Sequence, residues 1–217
     1  VVLTGLREGT ERAAAEAAGA KVLALEDEPW VRLEPSQAKA LTRFYFSKPI
    51  YDADIVINMP VIKTHRFADF SCSLKNVVGC VHPRNRPSVT FWTGEWHERI
   101  AELNLAVHPA LTVADGTTTM IEGGPTSGTP ARTDLLLCSG DRVALDMTAL
   151  ALLRSFGTWP KIQGKAIGEQ RQIKRAAELG LGVTGSRAVE VVSGAVDSAP
   201  PEFVRLVERI RDDLQKG

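Results

Sequence analysis

The chain is expected to fold as an α/β domain, a mainly parallel sheet with helices on both faces. Two observations carry that expectation. Short β-branched apolar runs alternate with stretches of helical period along the whole length, the pattern of strands layered against helices. A content of 44% apolar and 24% charged residues over 217 positions is that of a globular chain able to bury a core. No internal repeat, low-complexity run or linker interrupts the pattern, so residues 1–217 read as one domain.

The elements follow in order. Glu8 to Ala18 is rich in Ala and Glu and stops at Gly19, as a helix does. Lys21 to Leu25 is a short strand, Glu26 to Pro35 a loop or edge hairpin, and Leu41 to Phe46 another strand. Asp54 to Asn58 is expected to be a buried strand ended by Pro60. From Met59 to Glu95 no helix longer than two turns is expected, and a connection of that length inside a compact domain points to function. A helix over His97 to Ala106 precedes a strand over Leu111 to Ala114 that ends in Asp115-Gly116. Leu135 to Cys138 is a strand, and Asp141 caps a helix running to Arg154. A helix from Glu169 to Leu179 stops at Gly180, Ala188 to Val192 is a late strand, and Pro201 to Leu214 an amphipathic closing helix.

The totals exclude several classes. With 26 basic and 26 acidic side chains there is no cationic excess for nucleic acid or anionic membranes. Phe91, Trp92 and Trp96 are explained as well by packing as by base stacking. No run approaches the roughly 20 apolar residues of a membrane span. Cys72, Cys80 and Cys138 form no C-x-x-C pair, so no iron–sulfur cluster or disulfide framework is expected, and free thiols in a reducing cytoplasm are. The start at Val1, without Met, leads us to expect a preceding piece that could hold an export signal.

The densest polar segment runs from Asn58 through Thr64 and His65 to Lys75, Asn76 and Gly79. A strand leading into it would deliver it to the carboxyl edge of the sheet, where ligands bind in open α/β folds. Lys63, His65 and Lys75 are the candidate catalytic groups, because neighbouring cations lower each other's pKa and free an amine for base or nucleophile work. Solvated loop residues are the plain alternative. Arg84 and Arg86 offer forks for carboxylate or phosphate, or simply an exposed basic loop. Gly123 and Gly124 permit close backbone approach to an anion, or only a turn. His97 and Asp115 are candidate ligands for a divalent metal, with a histidine bonded to a neighbouring loop as the alternative. Asp146, among apolar helix residues, either points into a site or is tied to an amide or cation.

Together these segments resemble the domain of unknown function 362 family. Its pattern appears as Ala53-Asp54 through His65, Leu74 through Gly79, His97 opening a helix, Asp115-Gly116, Glu122 through Gly128, and Asp141 through Asp146. Many members carry an added ferredoxin segment. This chain lacks the cysteines for one, so the resemblance implies at most a ferredoxin-like redox partner. The stretch His65-Arg-Phe-Ala-Asp-Phe-Ser-Cys-Ser-Leu-Lys75 is also similar, more faintly, to the His-x-Phe-Ala-Gly-Phe-Ser-Gly-Gly-x-Lys core of nickel-pincer lactate racemases. That similarity implies His65 as proton-transfer base, Lys75 as cofactor anchor and His97 as metal ligand. Cys72-Ser73 replaces the glycine pair, and the interval from Lys75 to His97 is long, so it argues for architecture more than for nickel. The expected activity is that of a small-molecule enzyme or cofactor-binding domain with a Lys/His site for an anion, metal-assisted or not. An accessory module of an iron–sulfur system and a non-catalytic anion binder are the alternatives.

Overall fold

A computed structural model describes residues 2–4, 10–87, 94–194 and 198–217. The fold is α/β. Its main sheet joins β5 (Ile57–Asn58), β6 (Val61–His65), β7 (Asp69–Ser71), β8 (Leu111–Gly123) and β9 (Gly128–Ser139). The sheet is mixed. β5 and β6 both run parallel to β8, whereas β6 with β7 and β8 with β9 are antiparallel hairpins. Pro60 interrupts what is otherwise one path, and Asp115 donates its backbone N–H to the Pro60 carbonyl at 2.8 Å.

Two smaller ribbons stand apart. β1 (Val2–Thr4) pairs in parallel with β2 (Val22–Ala24) around α1 (Thr10–Ala17). β3 (Trp30–Leu33) and β4 (Phe44–Ser47) form an antiparallel pair followed by the single turn α2 (Lys48–Tyr51). The segment expected as a loop or edge hairpin therefore supplies β3.

The centre of the core is α5 (Arg142–Arg154). Val143, Leu145, Met147 and the run Ala149 to Leu153 are all buried, so this helix is apolar around its circumference and packs on every side. Asp141 starts it, as expected, by accepting from the N–H groups of Val143 and Ala144 at 2.8 and 2.9 Å. α5 lies against β6, β8 and β9 on one side and against α3 (Ser73–Asn76), α7 (Arg171–Glu178) and α8 (Pro201–Lys216) on others. α4 (Trp96–Leu103) packs on α7, and the short α6 (Pro160–Gln163) leads toward it.

Three expectations are corrected. Asp54 to Asn58 is not a buried strand: only Ile57 and Asn58 pair, and Asp54, Ile55 and Ile57 are exposed. The strand beginning at Leu111 does not end at Asp115-Gly116 but continues to Gly123, carried by the β-branched run Thr117 to Thr119 across two irregularities in register. Residues 188–192 form no strand; a 3-10 turn at Ser186–Ala188 leads into irregular chain. As expected, among the described residues the long connection after Met59 holds no helix longer than two turns; it carries the β6–β7 hairpin, α3 and a 3-10 turn at Val77–Cys80. Helical cover of the sheet is also uneven, since Ile57, Val61, Leu111 and Leu136 remain exposed on the face away from α5.

Candidate functional site

The hairpin β6–β7 and the turn of α3 bring Lys63, His65 and Lys75 together, although ten residues separate the last two. α3 is held in place by a buried polar lattice. Asp146, reaching from α5, accepts from the N–H groups of Ser73 at 2.6 Å and Leu74 at 3.0 Å and so caps its start. Asn104 donates to the Leu74 carbonyl at 3.0 Å. Asn58 donates to Ser73 at its carbonyl and Oγ and accepts from Asn76 at 2.7 Å, which clamps β5 to α3. Burial pushes the Asp146 carboxyl up to about 7 against those donors, and burial and Asp146 together push the Cys72 thiol up. Asn58 and Asn76, expected to touch ligand, are thus the clamp that positions Lys75.

Trp96, at the start of α4, lies between the basic groups. Lys75 Nζ stands 5.2 Å from its ring centroid, and the His65 ring is 6.4 Å away. Burial first, and Lys63 second, lower Lys75 to about 8. His65 is buried, and burial together with Lys75, Lys63, Lys161 and Arg66 drives its imidazole down to about 3. Its Nδ1 accepts from the backbone N–H groups of Phe67 and Ala68 at 3.2 and 3.1 Å. The neutral ring therefore carries its proton on Nε2. Among the described residues, neither Lys63 nor Lys75 has an ion-pair partner.

On the far side of the hairpin, Asp69 lies opposite His65 in register and adopts φ 64°, a left-handed backbone more natural to glycine. Its Oδ2 is 3.8 Å from His97 Nε2. Burial lowers the His97 pKa while Asp69 opposes the shift. Asp69, Lys161 and Lys165 line a shallow cleft of about 390 Å³ beside α6. Trp159 Nε1 donates to the Asp69 carbonyl at 2.9 Å, and Lys161 Nζ donates to the Arg66 carbonyl, so α6 is pinned to the hairpin turn.

The remaining expected site residues fall elsewhere. Thr64 is buried, its hydroxyl donating to the Met120 carbonyl at 3.1 Å. Arg86 spends its guanidinium on the carbonyls of Val81 and Gly79, while Arg84 is exposed. Gly124, at φ 82°, permits a close approach to protein, not to a phosphate: a Cβ there would stand 2.1 Å from the Thr64 carbonyl oxygen. Gly123 serves the same tight turn at φ 85°. Asp115 lies mid-strand and accepts from the N–H and hydroxyl of Thr117, while His97 faces Asp69. Among the described residues no group of three His, Cys, Asp or Glu side chains is placed to hold a metal ion.

Trp96, Asp69 and Lys161 were not singled out from sequence for this site. Asp69 had a signal, for it stands where the racemase-like pattern has glycine, and the backbone there is left-handed. Lys161 had none, lying 95 residues from its partner Arg66.

Fold and site together define an α/β protein with a half-buried cationic cluster built around a tryptophan. The chain belongs to the family described as Domain of unknown function (DUF362), which it matches over residues 6–151. It is 32% identical over 112 residues to a thylakoid-associated protein of Synechocystis sp.; the matched region is 50% of this chain and 35% of that protein. The chain thus spans about a third of that relative's length. No solved structure matches it. No helix among the described residues is long and apolar enough to cross a membrane.

Proposed function

We propose that the cluster of Lys63, His65 and Lys75 binds a small carboxylate- or phosphate-bearing molecule and that Lys75 is its reactive group. The observation that carries this is the missing counter-charge. Burial and then Lys63 lower the charge of Lys75 at a half-buried place, and no carboxylate among the described residues pairs with either lysine. Leaving buried cations unpaired is costly, and a bound anion removes that cost.

His65 acts in this scheme as an N–H donor. Its Nδ1 lone pair is taken by two backbone amides, so the neutral ring offers Nε2–H to a ligand oxygen, and the base role implied by resemblance falls to Lys75. A lysine at about 8 keeps roughly a tenth of its amine neutral at pH 7, enough to attack a carbonyl or remove a proton.

Reductive labelling with pyridoxal phosphate, an anionic aldehyde, tests both halves of the proposal. Mapped by mass spectrometry at neutral pH, Lys75 is expected to be modified ahead of the exposed lysines and to be spared by excess inorganic phosphate. Labelling of Lys75 no faster than of exposed Lys39, with no protection by phosphate, would remove this function.

A further inference from the structure

The main sheet has two unequal faces. On one, Ile62, Thr112, Ala114 and Leu135 are buried beneath α5. On the other, strand alternation brings up Ile57, Val61, Leu111 and Leu136, which are 56%, 46%, 37% and 60% exposed, with Met59 at 72% beside them. The register makes these neighbours and not scattered points: Ile57 is level with Leu111, and Val61 with Asp115 and Leu136 across three strands. Asp115, within this row, is already held by Thr117, and Lys63 follows Val61 on β6 at its margin.

We propose that this open face is the contact surface for a second copy of the chain, packed sheet to sheet about a two-fold axis. The five apolar side chains leave on the order of 500 Å² in water, as much as the largest patch on most monomers. With a rim of neighbouring strand it approaches the roughly 800 Å² per partner that a stable interface covers. An apolar sheet face can be complementary to itself, as a two-fold contact requires, and two such faces interdigitate about 10 Å apart. The proposal does not depend on the anion site.

Cys138 supplies the probe. It is exposed and lies opposite Val113 in register, on the same face, whereas Cys72 is buried and Cys80 half-buried. Sedimentation velocity over a concentration series is expected to show a dimer, with maleimide labelling of Cys138 slowing as the dimer forms. Leu136→Lys and Ile57→Lys, at positions exposed in the single chain, should each restore the monomer and fast labelling while leaving the circular dichroism spectrum unchanged. A monomer at every concentration overturns the proposal, whether Cys138 labels freely or is shielded by another part of the polypeptide. So does a dimer in which Cys138 still labels fast, or one that survives both lysines. Polydisperse aggregation, or a monomer that floats with lipid vesicles, overturns it as well.

Discussion

Two buried charged clusters in this molecule are built on opposite terms. The carboxylate of Glu102 is fully buried and fully answered: it accepts from the N–H groups of Lys39, Ala40 and Leu41 at 2.8 to 2.9 Å and from Arg175 at 2.8 and 3.0 Å. Lys63 and Lys75, by contrast, face each other, a tryptophan ring and a neutral histidine. The first cluster ties the loop before β4 to α4 and α7 and has no valence left. The second is unfinished among the described residues. The difference separates charge that maintains a fold from charge available to a ligand.

The sharpest way to break that contrast is to remove one member of each cluster. Glu102→Ala strips the buried Arg175 of its buried carboxylate, leaving it the exposed Glu178 and the Gln37 carbonyl, and leaves three N–H groups unanswered, so a loss of about 3–5 kcal/mol is expected in urea unfolding. Lys75→Met should move the other way. Lowering a lysine from 10.5 to about 8 is equivalent to roughly 3 kcal/mol. Part of that is offset by the lost contact with Trp96, so a gain of roughly 2 kcal/mol at pH 7 is expected. A destabilised Lys75→Met protein would mean that Lys75 belongs with Glu102 as structure.

The pH dependence sharpens the same point with a smaller effect. In the folded chain Lys75 loses its proton near pH 8, whereas in the unfolded chain it keeps it to about 10.5. Between those values the unfolded state binds more protons, so wild-type stability rises with pH relative to Lys75→Met. The advantage of the methionine variant, complete at pH 7, should therefore shrink through pH 8 and vanish near pH 10.5. Binding of phosphate should weaken over the same rise, as the ammonium that attracts it is lost. Parallel unfolding curves for the two proteins at all pH values would show that Lys75 is not perturbed.

Much of the scaffold could be read from local signals. Asp141 as a cap, Gly180 as a stop at φ 69° and Pro201 as the start of α8 all act within a turn of the residues they control. What escaped depends on partners distant in the chain. Thr117 to Thr119 favours strand, but Asp115-Gly116 before it reads as a strand end, and only the pairing with β9 shows the strand running through. The exposure of Ile55 and Ile57 could not be foreseen from their apolarity, which argues for burial wherever a neighbour exists to provide it. The same holds at the site: Lys63, His65 and Lys75 stood out by proximity in sequence, while Trp96 and Lys161 arrive from other elements.

Asp69 gives the finest test of the contrast, because it could belong to either side. At φ 64° an aspartate is strained by on the order of 1 kcal/mol, and glycine would relieve that strain while adding a similar entropic cost to folding. Asp69→Gly should therefore change stability by less than about 0.5 kcal/mol. It should nonetheless alter the imidazole of His97, whose protonated form Asp69 favours across 3.8 Å. In NMR titration the His97 ring is expected to titrate at lower pH in the variant, with the other histidines little moved. An unchanged fold with a shifted His97 would place Asp69 beside the lysines, as a charge kept for the cleft at the expense of backbone comfort. A loss above about 2 kcal/mol with no shift in His97 would place it beside Glu102, with its strain offset by contacts that the fold itself needs.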